Sequence, residues 1–218
     1  MVTGTPSLPC MPLPINTEWD ITVCSVQSTN SIHLWLGGGA DQLKSLHTSM
    51  LPQHRIRNSV SPVEGGLCSA MVKEGQCRRV QVVQINRGNN SCKCLLLDYG
   101  EEEIVERSKL IELDIKFRQL PVQSVQASLA GVEQSDDKKI VDHVITVLLG
   151  RRLVGVLVGE GVNTISALVL FDTSQREDIM VSEEIINFMS KLSNPPKAVK
   201  TDLIISHPNL SQVLMLLS

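Results

Sequence analysis

A tyrosine stands among acidic residues in the stretch Asp98-Tyr99-Gly100-Glu101-Glu102-Glu103, and Tyr99 is the only tyrosine in the 218 residues of the chain. A carboxylate accepts two parallel hydrogen bonds from an arginine guanidinium, and a phenol ring can stack on the same cation. Methylation of that arginine would block part of this hydrogen bonding. The stretch is therefore a candidate site for unmodified arginine, held by Glu101 or a neighbouring acid while Tyr99 stacks on it. Two blander alternatives stay open: the three glutamates are a solvated turn, or Asp98 accepts backbone hydrogen bonds within the turn.

Residue types that serve catalysis or metal binding are present, but their spacing does not suit that chemistry. The five histidines are isolated in the sequence, at positions 33, 47, 54, 143 and 207. Cys92-x-Cys94 puts two thiols on one face of a strand, which is the wrong spacing for a zinc knuckle. Asp172, Arg176 and Glu177 form no ordered acidic cluster and are interpreted as a loop with ordinary charges. We expect no enzymatic activity, no metal and no cofactor.

Composition favours a β-rich intracellular protein. Hydrophobic residues make up 42% of the chain, but the aromatic ones are only two Trp, one Tyr and three Phe, so Val, Leu and Ile must fill the core and favour strands. The net charge of −3 does not suggest a nucleic-acid-binding face, which is usually strongly basic. No signal peptide or long apolar span is visible, which predicts an intracellular, reduced protein.

Hydrophobic periodicity predicts the elements that position the acidic turn. Residues 1–17 are predicted as a flexible proline-rich arm, and two strands follow between residues 19 and 36. Asp41 is expected to cap a helix that Pro52 ends. Closely spaced strands and turns over residues 65–113 predict a small barrel.

The C-terminal half is predicted to return to the N-terminal strands. We expect residues 20–36 to pair with strands from 152–171. The other predicted elements are a short linker helix within 120–132, a helix over 136–150, an edge strand over 179–181 and a helix over 182–192. Residues 197–218 are predicted as a polar tail with an apolar end.

Four stretches, in the right order, resemble one family. Asp98-Tyr99-Gly100 followed by an acid resembles the Asp-Tyr-Gly-Asn turn of Tudor domains. Leu67-Cys68-Ser69-Ala70 resembles the opening strand of the Tudor barrel, and Arg79-Val80-Gln81-Val82 the strand usually written Trp-Tyr-Arg-Ala-x-Val. Residues 110–132 resemble the exit from an extended Tudor domain. Two strands and a helix are also how such domains begin.

The resemblance implies a mainly β fold with a few helices (α+β), in which an SH3-like Tudor barrel is inserted in a split OB barrel like that of staphylococcal nuclease. On this pattern, residues 18–61 form the first part of the nuclease-like unit and 62–114 the Tudor barrel. Residues 115–196 form the linker helix and the second part. The chain is too short to be a typical full member, so it is interpreted as a fragment or a reduced member.

The resemblance also locates a binding site, because Tudor domains of this kind enclose methylated arginine in a cage of aromatic rings completed by an asparagine. The ring positions fall on Val72, Arg78, Leu96 and Tyr99, and the asparagine position falls on Glu101. A one-residue shift in the alignment would replace Arg78 by Cys77. One ring of four remains, so this degenerate cage is expected to bind arginine peptides without preference for methylation.

The implied function is that of a non-catalytic interaction module. Family members bind the arginine-rich arms of Piwi-class Argonautes in cytoplasmic germline RNA granules, where small RNAs silence transposons. Two alternatives from other classes stay open. The OB-type unit could bind single-stranded RNA, or the chain could be a dimerising scaffold that uses the apolar stretch 213–217.

Overall fold

The computed structural model describes residues 8–9, 16–57, 59–151, 153–158, 166–174 and 176–193. In chain order the elements are β1 (Glu18–Ser28), β2 (Ser31–Leu36), α1 (Gly39–Ile56), β3 (Leu67–Lys73), β4 (Gln76–Asn86), β5 (Ser91–Leu96), β6 (Glu101–Glu106), β7 (Leu110–Glu112), β8 (Val125–Leu129), α2 (Lys138–Leu148), β9 (Leu153–Val158), β10 (Ser166–Asp172), β11 (Ile179–Met180) and α3 (Val181–Ser193). Two 3₁₀ turns cover Arg107–Lys109 and Ile115–Arg118. None of the described helices is long and apolar enough to cross a membrane.

The strands form two sheets, and the chain enters one sheet, builds the other and returns. The first sheet has the order β11-β10-β8-β2-β1-β9, and β10 also pairs with β9. Strands β1, β2, β8, β10 and β9 therefore close into a ring, with β11 beside β10. The expected pairing of the N-terminal and C-terminal segments is confirmed, since Ile21 of β1 lies opposite Leu153 of β9.

The second sheet is the five-stranded barrel inserted between β2 and β8. Its antiparallel order is β6-β5-β4-β3-β7. Small apolar residues fill its interior, and they include Ala70, Val80, Val82, Cys92 and Cys94. Burial raises the pKa of the Cys94 thiol to about 12, so this thiol stays protonated and packs as a small hydrophobe. The mainly β fold with an inserted barrel is confirmed.

Three local predictions differ from the structure. Residues 125–129 form strand β8 instead of a linker helix, because this segment pairs with β2 on one side and β10 on the other. Every second residue, Val125, Ala127 and Leu129, is buried in the core. Helix α1 passes through Pro52 and ends at Ile56, and its N-cap is Gly38 instead of Asp41. The packing of Met50 and Leu43 in the core holds the helix together around the missing backbone donor.

A third apolar cluster packs α1 against the inserted barrel and the segment that leaves it. It contains Met50 of α1, Leu67 of β3, Leu113 and Phe117. Leu8, predicted as part of a flexible arm, is buried in the same cluster. The tail over 197–218, including the apolar stretch 213–217, lies outside the described residues, as does most of the arm.

Candidate functional site

A buried ion pair holds the turn between β5 and β6. The carboxylate of Asp98 accepts from Nε of Arg79 at 2.9 Å and from Nη2 at 2.6 Å, and the two side chains are 1% and 0% exposed. The same guanidinium donates to the carbonyls of Phe117 and Pro121, at 3.1 and 3.0 Å. Asp98 also accepts from the backbone N–H of Gln123 at 3.1 Å. This network ties the turn to β4 and to the chain segment that leaves the barrel.

Asp98 is therefore a structural residue, as one of the sequence alternatives held. Its partners differ from the expected ones, because they are Arg79 and Gln123 and not backbone groups inside the turn. A buried carboxylate with three charge-assisted or backbone donors has little capacity left for a ligand.

Gly100 lets the turn approach the first sheet. Its φ is +76°, in the left-handed region that favours glycine, and its N–H donates to the carbonyl of Leu96 at 2.8 Å. A Cβ at this position would collide with the imidazole of His33 on β2. The carbonyl of Gly100 accepts from Nε2 of Gln27 on β1 at 2.8 Å. The turn is thus fitted directly against β1 and β2 of the first sheet.

The ring of Tyr99 points toward α1, where two rings from outside the barrel meet it. Trp35 packs edge-on at 5.2 Å between ring centroids, with an interplanar angle of 79°. His47 is stacked at 6.1 Å and 17°. These three rings line a cavity of about 330 Å³, together with Ala40, Leu43, Lys44, Thr48, Leu51 and Gly75.

Arg78 of β4 covers Tyr99. Its guanidinium carbon lies 4.8 Å from the centre of the Tyr99 ring, which is a cation–π distance. Its Nη1 donates to Nδ1 of His47 at 3.2 Å and to the carbonyl of Cys77 at 3.0 Å, and its Nη2 donates to Oε1 of Gln76 at 3.4 Å.

His47 is held neutral in this arrangement. Burial lowers its pKa, the charge of Arg78 lowers it further, and the result is about 4. Because Nδ1 accepts from Arg78, the proton of the neutral ring is on Nε2. That buried nitrogen has no hydrogen-bond partner among the described residues. Burial also raises the pKa of Tyr99.

A second cavity, of about 490 Å³, lies on the other side of the turn. It is lined by Gln27, His33, Leu95, Leu97, Gly100, Glu102, Val122, Ser124 and Gln126. Burial lowers the pKa of His33, and the negative charge of Glu101 opposes this shift. The charge of Glu101 is therefore felt at the cavity wall that His33 forms. Glu102 forms an exposed ion pair with Lys93 at 2.6 Å. We call this space the acidic cavity and the space beside Tyr99 the ring cavity.

The structure brings the remaining predicted site residues together only in part. Leu96 is buried in the barrel core, and Val72 and Tyr99 pack against that same core. Arg78 contacts Tyr99, whereas Glu101 is exposed at the start of β6. No ion pair joins Arg78 to Glu101 in the part of the chain that the structure describes.

Sequence reasoning missed Trp35 and His47 as site residues. Trp35 lies on β2, where both neighbours, Leu34 and Leu36, are buried, and its indole donates to the carbonyl of Asp98 at 2.7 Å. His47 follows buried Leu43 by one turn of α1. The available signal for His47 was its position one turn after a core leucine, which places its ring on the same side of the helix. This pattern does not specify which residue the ring contacts.

Comparison with known proteins agrees with this architecture. The Tudor domain family model matches residues 13–131, more than half of the chain. Tudor domain-containing protein 7A of Danio rerio is 29% identical over 188 residues, which cover 83% of this chain and 17% of that protein. The chain thus spans about a sixth of the length of this curated relative.

Solved extended Tudor domains share the fold. Domain TD3 of mouse TDRD1, in complex with a MILI peptide containing dimethylarginine, superposes with a TM-score of 0.77 at 20% identity and covers 84% of this chain and 96% of that one. An Asp-to-Ala variant of the Papi extended Tudor domain of Drosophila melanogaster, in complex with a Piwi N-terminal peptide that carries a symmetrically dimethylated arginine, gives 0.70 at 18% identity, with coverages of 79% and 97%. The chain belongs to the Tudor domain family and has the extended Tudor architecture.

Proposed function

We propose that this chain is a non-catalytic interaction module that binds an arginine-rich segment of a partner protein without requiring methylation. The observation that carries the proposal is the composition of the site: Val72 and Leu96 supply no ring, and the face of Tyr99 is already covered by Arg78. A methylated guanidinium needs ring faces to be recognised, at about 0.5–2 kcal/mol for each contact. The Tyr99 face is therefore not free to favour a methylated ligand.

The acidic cavity suits an unmodified arginine better. Glu102 lines this cavity, and Gln27, Ser124 and Gln126 add polar groups to its walls. Glu101, the residue before Glu102 on β6, is exposed. A carboxylate at such a site can accept two N–H donors from one guanidinium, and methyl groups on the nitrogens would replace those donors. Tyr99 lines the ring cavity and Glu102 lines the acidic cavity, so the ring and the acids do not share one ligand, contrary to the expectation from the sequence.

Calorimetry with a pair of arginine-rich peptides tests methylation independence. We expect the unmodified and the symmetrically dimethylated peptide to bind with equal affinity within about threefold. Tighter binding of the methylated peptide by tenfold, which corresponds to about 1.4 kcal/mol, would contradict the proposal.

The substitution Glu101→Gln tests the role of the acid. It removes the charge and keeps the shape, so affinity for the unmodified peptide should fall by about 1–3 kcal/mol if the ion pair is desolvated. Glu106→Gln is the matched control, because Glu106 is also an exposed acid and lies at the far end of β6. Equal losses of affinity in both variants would indicate nonspecific attraction to negative charge. If Glu101→Gln lost no affinity, the peptide would have to bind at another surface.

We further propose a Piwi-class Argonaute arm as the partner and cytoplasmic germline granules as the location. The support is family membership and the Piwi and MILI peptides bound by the structural neighbours. We expect Piwi-class proteins to co-precipitate with the wild-type chain from germ cells and not with Glu101→Gln. If the wild-type chain were precipitated without any Piwi-class protein, this partner would be contradicted.

A further inference from the structure

The contacts of Arg78 are those that a binding site offers to an arginine ligand. Its guanidinium has an aromatic face at 4.8 Å in Tyr99 and three neutral acceptors, which are Nδ1 of His47, the carbonyl of Cys77 and Oε1 of Gln76. We propose that Arg78 is an internal occupant of the Tyr99 ring face and the residue that sets the specificity of this site. While Arg78 is in place, the ring cavity rejects methylated arginine. This inference rests on the function proposed above.

The neighbouring arginine shows what a purely structural arginine does in this barrel. Arg79 is fully buried and forms a bidentate pair with Asp98. Arg78 is half-buried and forms no ion pair with any described carboxylate. An arginine that contacts only a ring and neutral acceptors is stabilised less than one in an ion pair. Once Arg78 is removed, a ligand cation could use the same ring face and acceptors.

The ring cavity already has most of what would hold such a cation. Trp35, His47 and Tyr99 present three rings around a space of about 330 Å³, and Leu43 and Leu51 add apolar walls. Lys44 in the lining of this cavity is a cation, and a second cation, Arg78, lies on the ring of Tyr99. A second guanidinium entering here would meet repulsion from both and find the Tyr99 face taken. Removing Arg78 removes the occupant and one of the two charges together.

The substitution Arg78→Ala tests the proposal directly. We expect the wild-type chain to show no methylation preference, and Arg78→Ala to bind the symmetrically dimethylated peptide at least about tenfold tighter than the unmodified one. Arg78→Gln, which leaves a smaller gap, should shift the preference in the same direction. Arg87→Ala is the matched control: it removes the same charge from the exposed β4–β5 turn and should behave as wild type. An unchanged affinity ratio in both Arg78 variants would overturn the proposal.

A titration of His47 by NMR checks the internal contact without any peptide. The charges that act on His47 are Arg78 and Arg79, which lower its pKa, and Asp98, which raises it, with Lys44 on the same cavity. Removing Arg78 should raise the pKa of His47 above its value of about 4, although burial keeps it below the ordinary range. An unchanged pKa would mean that Arg78 does not contact His47, and the inference would fail whatever the peptides do.

Free symmetric dimethylarginine separates this inference from the proposed function. Its addition to Arg78→Ala should shift the indole N–H signal of Trp35, and its addition to the wild-type chain should not. If neither protein binds any peptide but this shift occurs, the proposed function fails and the role of Arg78 stands. If both proteins bind the unmodified peptide but no shift occurs, the role of Arg78 fails and the proposed function stands.

Discussion

Replacing Asp98 by alanine is expected to lower the free energy of unfolding by about 3–5 kcal/mol, because it leaves the buried charge of Arg79 without its counterion. Both side chains are essentially inaccessible to solvent, so water cannot replace the lost carboxylate. Domains are typically stable by only about 5–15 kcal/mol, so the change removes a large share of the total. The substitution also frees the N–H of Gln123 and loosens the turn that carries Tyr99. Urea unfolding followed by circular dichroism measures the effect.

Glu102→Ala is the control for this experiment. The pair between Glu102 and Lys93 has the same 2.6 Å distance as the closest contact of the Arg79–Asp98 pair, but its side chains are 43% and 39% exposed. Exposed pairs contribute about 0–1 kcal/mol, since solvent screens them. If both variants lost stability equally, burial would not be what makes the Asp98 pair important.

Replacing Gly100 by alanine is expected to destabilise the chain by about 2–5 kcal/mol. The left-handed backbone costs an L-residue about 1–2 kcal/mol, and the collision of the new Cβ with the imidazole of His33 adds about 1–3 kcal/mol of overpacking. The collision should also displace His33 from Ser124, to which it is hydrogen-bonded at 3.0 Å. Thermal and urea unfolding measure the loss, and the His33 NMR signals report the displacement.

Gly75→Ala separates the two contributions. Gly75 has a similar φ of +72° in the β3–β4 turn, but a Cβ there meets nothing within 4 Å. This variant should therefore show only the backbone cost. Equal losses at Gly75 and Gly100 would mean that the turn moves away from His33 without resistance, contrary to a turn fitted tightly against β2.

Local patterns in the sequence were sufficient for much of the fold. Clustered turn residues and short apolar runs placed the barrel, and the stripe of Ile140, Val144 and Leu148 placed α2. The prediction of a helix within 120–132 was wrong, because residues 125–129 form a strand. An apolar pattern of only five residues is too short to distinguish a strand from one face of a helix. The segment is a strand because it pairs with β2 and β10, which are distant from it in the sequence.

The sequence by itself determined the position of the Tyr99 turn, its acidic neighbours and the lack of a ring at Val72 and Leu96, because residue types and turn chemistry are local properties. Only the tertiary structure decided what each group of the turn contacts. Packing α1 and β2 against the barrel brings Trp35 and His47 to Tyr99, and folding β4 beside the turn places Arg78 on its ring. Asp98 likewise meets Arg79, 19 residues earlier, only when the barrel forms. Such contacts depend on the register and approach of separate elements, which no local periodicity specifies.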